Sequence, residues 1–245
     1  MMPFSPKPLT RSLPRPPGLS RTQLIEVGGL AAIPHLSGAL YLPDERVLLV
    51  ADLHLEQGAS LARRGVHVPP YDTAGTLDAL EDVLAETKPW RLILLGDSFH
   101  DAVAHEALDA RDLDRLRSLT ARIETVWISG NHDPEAHGNL GGFCVAEVAL
   151  GRITLRHIPQ RVLKDACEVS GHLHPGAAIE QRGIRLRAKC FVSDGRRLIL
   201  PAFGRYTGAL NVRSEAFRGL FDEEATQAWM IGNGTLHRFP FKRLS

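Results

Sequence analysis

Three cysteines in 245 residues, Cys144, Cys167 and Cys190, are too few and too far apart for a disulfide framework. Without a C-x-x-C pair they do not form a thiolate zinc site either, and they are expected as buried apolar fillers. No stretch approaches the roughly 20 uninterrupted apolar residues needed to span a bilayer, and the N-terminus lacks the apolar centre of a signal peptide. A cytoplasmic protein with no membrane partner is expected. A dominant charge sign is also missing. The net charge of +1 supplies no global field for a polyanion, so any nucleic-acid contact has to come from a local patch. Tyrosine and tryptophan are scarce at three each, whereas histidine numbers 11, and the positions of those histidines decide what they mean.

With 44% hydrophobic and 23% charged residues, the chain can build one large domain with a substantial core. Residues 1–22 are rich in proline and basic residues without apolar period, which reads as a disordered basic arm. Residues 23–245 read as a single domain. RVLLVA (46–51), RLILLG (91–96) and ETVWISG (124–130) are apolar runs of strand length ending in Asp or Gly. The first intervening segment, TAGTLDALEDVLAET, repeats Leu77, Leu80 and Leu84 at helical spacing, with Thr73 or Asp72 as its cap. ALDARDLDRLRSLTARI, the second, carries a thinner apolar face. This β-α-β-α-β order predicts a parallel sheet covered by helices. After Gly142 short strand-like runs dominate. The expected class is therefore α/β, a two-sheet sandwich flanked by helices.

The chemistry-bearing side chains fall at strand ends. Asp52 and His54 follow the first strand in VADLHLEQG, Asp97 follows the second in LLGDSFHD, and Asn131 and His132 follow the third in SGNHDP. His157 ends RITLRH, while His172 and His174 follow CEVSG in SGHLHP. Open α/β sheets place their sites at such carboxyl ends. An Asp/His/Asn set without thiolates suits Mn²⁺, Fe or Zn²⁺. Seven candidate ligands exceed what one ion needs, so two divalent ions are implied, with a carboxylate such as Asp97 able to bridge them. Gly96, Gly130 and Gly171 are expected to let the chain turn sharply beside the ligands.

The motifs DLH, GD, GNHD, a later His and GHLH, in that order from Asp52 to His174, resemble the signature of the calcineurin-like metallophosphoesterase superfamily. The resemblance implies the αββα metallophosphoesterase fold. It implies Asp52, His54, Asp97 and His174 around one metal and Asp97, Asn131, His157 and His172 around the other, with His132 a non-ligand histidine beside the scissile phosphate. A narrower likeness runs from about Leu42 to Val212 through DLHLEQGASLARRG, PPYDT, LLGDSFHD, SGHLHP and LPAFGRYTGALNV. These stretches resemble the bacterial DNA-ligase-associated metallophosphoesterases, manganese-dependent DNA endonucleases and phosphodiesterases that accompany a ligase and a helicase in repair gene clusters. That likeness alone implies DNA, single-stranded or with ends, as substrate, Mn²⁺ as the metal, and the ligase and helicase as associates.

One departure from the wider superfamily matters. Many members have GDxxDR or GDxxN, whereas this chain has His100 and Asp101 at those positions. Phosphate contacts then have to come from elsewhere, and Arg63, Arg64 and Arg205 are the candidates. The mechanism implied is hydrolysis by a water whose pKa two cations lower from 15.7 towards about 7. His132 would serve the departing oxygen as general acid, with His100 assisting. A small-molecule phosphatase or cyclic-nucleotide phosphodiesterase would use the same core, and a catalytically silent scaffold would keep only the fold.

Overall fold

The computed structural model describes residues 24–69, 71–101, 108–133, 140–163 and 165–245. Residues 1–22, read from sequence as a basic arm, lie outside these, as do His105 and His137. The first sheet begins with three short antiparallel strands that the apolar pattern did not announce: β1 (Ile25–Val27), β2 (Leu30–Pro34) and β3 (Leu40–Leu42). Next come β4 (Val47–Val50), α1 (Gln57–Arg63), α2 (Asp72–Thr87), β5 (Arg91–Leu95), α3 (Ala110–Arg122), β6 (Glu124–Ile128) and β7 (Phe143–Val145). Strands β4 to β7 run parallel, and helices α1 and α2 lie between β4 and β5 and α3 between β5 and β6, as expected of parallel neighbours. Val50 pairs with Leu94 and Leu95 with Ile128, so β4, β5 and β6 end level and their following loops lie side by side.

The second sheet is built from β8 (Glu147–Leu150), β9 (Ile153–Arg156), β10 (Cys167–Ser170), β11 (Pro175–Gln181), β12 (Ile184–Ser193), β13 (Arg197–Ile199), β14 (Leu210–Asn211), β15 (Gln227–Ile231) and β16 (Leu236–Pro240). Its order is β14-β11-β12-β13-β10-β9-β8, with β15 and β16 branching from β12. Here β9, β10 and β13 are mutually parallel. The architecture is αββα, two mixed sheets flanked by helices.

Period-two alternation divides the core. Val47 and Leu49 enter the apolar layer between the sheets, where they meet Val169, Phe191 and Leu198. Leu48 and Val50 face the helices and pack with Leu77, Leu80 and Val83 of α2 and Leu116 of α3. Leu84 packs at the margin of this cluster. Each fully buried side chain of this kind contributes about 1.5–3 kcal/mol. The outer face of the second sheet is covered by Phe217, Leu220, Phe241 and Leu244 from short 3₁₀ turns and their flanks.

Two expectations are corrected. No side chain caps α2, whose first residue is Asp72. Asp72 and Thr73 instead serve α1, which has no side-chain cap of its own at Glu56 and would leave its first N–H groups unpaired. The Gly58 N–H donates to Asp72 Oδ2 at 2.7 Å, and the Glu56 N–H to Thr73 Oγ1 at 2.8 Å. The Thr73 hydroxyl in turn donates to Glu56 Oε1 at 2.9 Å. Among the cysteines, Cys167 and Cys190 are buried but Cys144 is exposed, because β7 lies at the edge of its sheet.

Candidate metal centre

Five strand ends converge on one point: those of β4, β5 and β6 from the first sheet, and of β9 and β10 from the second. The loops are laced together by backbone hydrogen bonds. His54 N–H donates to the Asp97 carbonyl at 2.9 Å, and Gly171 N–H to the His157 carbonyl at 3.1 Å. Asp52, His54, Asp97, His172 and His174 all hold positive φ, from 44° to 69°. Asp and His tolerate the left-handed region better than most residues, yet each such residue costs on the order of 1–3 kcal/mol and persists only where its surroundings over-determine it.

The expected role of the glycines is thereby corrected in part. Gly96 does take positive φ (82°), but Gly130 and Gly171 do not. They are needed for space. A Cβ on Gly130 would lie 2.1 Å from Asp97 Oδ1 and 2.2 Å from the Asp97 nitrogen, and one on Gly171 would lie 2.6 Å from Asp52 Oδ2.

The converging donors form two groups. Asp52, His54 and His174 bring ligand atoms within 4.8 Å of one another, and so do Asp97, His157 and His172. His54 Nε2 stands 3.2 Å from His174 Nε2, and His174 Nε2 stands 3.4 Å from Asp52 Oδ1. His157 Nε2 lies 3.2 Å from His172 Nδ1, 2.9 Å from Asn131 Oδ1 and 3.3 Å from Asp97 Oδ1. Asp97 faces both groups, with Oδ1 on His157 and Oδ2 3.8 Å from His54 Nε2.

These donors fit divalent cations. His157 Nδ1 donates to the Leu95 carbonyl at 2.8 Å, which fixes the tautomer and leaves the Nε2 lone pair aimed at Asn131, Asp97 and His172. Lone pairs of imidazoles and carboxylates that face each other at such distances repel unless a proton or a cation lies among them, and a cation can serve a whole group at once. His54 Nδ1 is moreover buried without a hydrogen-bond partner. Electrostatics point the same way. Burial lowers the His54 pKa to about 4, against the pull of Asp52, so its imidazole is neutral and able to ligate. The Asp52 carboxylate accepts the His172 N–H at 3.1 and 3.0 Å, and Asp97 Oδ1 accepts the His132 N–H at 3.0 Å.

His132 and His100 sit against the first group. Their ring centroids are each 5.4 Å from that of His54 and 5.7 Å from one another. His132 Nδ1 donates to the His100 carbonyl at 2.9 Å, which turns Nε2 to within 4.0 Å of Asp97 Oδ2. Burial, reinforced by the charge of His132, lowers the His100 pKa.

The three candidate arginines are placed differently. Arg63 forms an ion pair with Asp101, the residue after His100. Arg64 is exposed at the end of α1. Arg205 lies across α2, where a Cβ on Gly75 would meet its Nη1 at 2.6 Å.

Two further elements escaped the motif reading. Asp133, the last residue of GNHD, accepts the N–H groups of Ser98, Phe99 and Gly130 at 2.7, 3.1 and 3.1 Å and so ties the GD loop to the GNHD loop. Lys189 donates to the Ala202 and Gly204 carbonyls at 2.8 and 3.0 Å and to Thr207 Oγ1 at 2.8 Å. It thereby holds the FGRYTG loop, whose Phe203 and Gly204 N–H groups bind the carbonyls of Ala51 and Asp52. Nothing in the sequence around Lys189 distinguishes it from a surface lysine.

A two-sheet sandwich with paired carboxylate–imidazole groups at its strand ends defines a metal-dependent phosphoesterase. The calcineurin-like phosphoesterase family matches residues 45–205, and the chain belongs to that family. Among solved structures, a Pseudomonas putida nuclease, MPE, is 32% identical with a TM-score of 0.67, over 89% of this chain and 99% of that one. The Escherichia coli phosphoesterase Yfce is 16% identical with a TM-score of 0.38, over 80% of this chain and 98% of that one. Vacuolar Protein Sorting 29 of Cryptosporidium parvum is 19% identical with a TM-score of 0.33, over 81% and 95%. No curated protein matches the chain. Among the described residues, no helix is long and apolar enough to cross a membrane.

Proposed function

We propose that the chain is a two-metal DNA phosphodiesterase or endonuclease that works with Mn²⁺ in DNA repair alongside a ligase and a helicase, as the ligase-associated subfamily does. The observation that carries the reading is the Asp97 carboxylate, which turns one oxygen to each donor group. In this reading Asp52, His54, Asp97 and His174 hold one cation, and Asp97, Asn131, His157 and His172 the other. When bound, the pair of cations supplies an activated water and neutralises charge on the phosphoryl oxygens. The chain contributes the rest. His157 is locked by Leu95 into the tautomer that ligates, and the His132 N–H braces Asp97. His132 Nε2, held forward by the His100 carbonyl, gives a proton or hydrogen bond to the leaving oxygen, and His100 supports it. Arg63, Arg64 and Arg205 are the phosphate-binding candidates around this centre.

DNA as substrate is supported by the P. putida relative, whose description is that of a nuclease. A cleft of about 380 Å³ opens between His172–His174 and Gly208–Leu210 beside the donors and gives a phosphodiester access to them. The test is incubation with circular single-stranded DNA and with bis-p-nitrophenyl phosphate under Mn²⁺, Zn²⁺ or chelator. Linearised circles and hydrolysed diester with Mn²⁺, both abolished by chelator, are the expected result. Hydrolysis of the small ester with intact circles would favour a small-molecule phosphodiesterase.

A further inference from the structure

The outer halves of β11 and β12 extend as a hairpin in which every residue from 180 to 187 is exposed. It closes through Arg182 and Gly183, both at positive φ, the two-residue turn that suits the twist of paired strands. Alternation places Arg185, Arg187 and Lys189 on one side of β12. Lys189 shows what that side faces, because its ammonium binds the loop resting on the carbonyls of Ala51 and Asp52. β11 itself starts at the residue after His174. Arg187 and Arg185 therefore stand roughly 7 and 13 Å farther along the strand than Lys189, on the metal-facing side. Their cross-strand neighbours leave room above them. Gly176 lies opposite Lys189 and Ala178 opposite Arg187, and only Glu180, opposite Arg185, is acidic. Among the described residues neither arginine has an ion pair or a side-chain hydrogen bond. A guanidinium fork matches phosphate oxygens, and a row of them beside a hydrolytic centre fits a phosphodiester backbone.

We infer that this hairpin is a backbone-binding arm, in which Arg185 and Arg187 hold phosphates of the DNA strand as it leaves the metal centre. The inference rests on the reading of the chain as a DNA phosphodiesterase.

The test compares wild type with the double variant Arg185→Ala, Arg187→Ala, on bis-p-nitrophenyl phosphate and on a single-stranded oligonucleotide over a range of salt. Turnover of the small diester should be unchanged, since it reaches the metals without touching the hairpin. DNA affinity should fall, and the slope of log affinity against log salt should shrink by about 1.4, at about 0.7 per lost phosphate contact. The double variant Arg185→Lys, Arg187→Lys should keep most of the slope, and Glu180→Gln should tighten binding. An alanine variant with full diesterase activity and an unchanged slope overturns the arm and leaves the phosphodiesterase standing. If that variant instead aggregates with its slope intact, the arginines guard bare strand edges, which also overturns the arm. A wild type that hydrolyses the diester but neither binds nor cuts DNA overturns the DNA reading itself.

Discussion

His132 meets its neighbours with both ring nitrogens, yet only one points at the donors. Nδ1 is taken by the His100 carbonyl, and Nε2 faces Asp97 Oδ2 at 4.0 Å, beyond direct bonding. His132 belongs to neither three-residue donor group, in keeping with its proposed role as a proton donor. His132→Ala should retain both metals by elemental analysis and lower turnover about 10²–10⁴-fold; loss of metal in proportion to activity would make it a ligand. At the same scale, Lys189 is a cation kept away from water. Burial lowers its pKa to about 8, whereas an unfolded lysine holds its proton to about 10.4. Between those values the unfolded state binds more protons, so folding stability should rise with pH through that window. Urea midpoints at pH about 7.5 and about 9.5 should show a gain in wild type that Lys189→Met lacks; equal gains in both would take Lys189 out of the account.

Between residue and molecule stand the loops that carry the ligands. Gly130 lets the GNHD loop lie on Asp97, and the contact a methyl would make is with backbone as well as carboxylate. Gly130→Ala should therefore cost about 1–3 kcal/mol by overpacking and deplete both cations, because Asp97 faces both groups. A variant that kept its full metal complement would show that the two loops can separate without harm. These loops were the most legible part of the chain, because ligand chemistry restricts residue type and every ligand followed an apolar run. What surrounds them was less so. The strands β1 to β3 are short, and β11 reads PGAAIEQ, with little β-branched content, so pairing with neighbours rather than local preference makes them strands. Asp72 and Thr73 read locally as a cap for their own helix, and only the fold brings α1 close enough to take them. Lys189 acts through contacts far away in sequence and leaves no local pattern, and the tie that Asp133 makes to Ser98 and Phe99 is equally invisible in the motif that contains it. The turn-forming role given to Gly130 and Gly171 missed that five of the candidate donors, Asp52, His54, Asp97, His172 and His174, adopt the left-handed backbone themselves.

Over the whole molecule, the two sheets contribute unequal halves of one centre. The first supplies Asp52, His54, Asp97 and Asn131, and the second His157, His172 and His174, so cations placed here would bind the sheets to each other across their shared apolar layer. The 3₁₀ turns lie on the far side of the second sheet, whereas β15 and β16 extend that sheet from β12 and send Trp229 and Leu236 into the shared apolar layer. The claim on which this account depends is that two cations sit on either side of Asp97. Anomalous difference maps from crystals grown with Mn²⁺ address it directly. They should show two peaks about 3.5–4 Å apart, one among Asp52, His54 and His174 and one among His157, His172 and Asn131, with Asp97 between them. A single peak, or peaks away from these side chains, would contradict it.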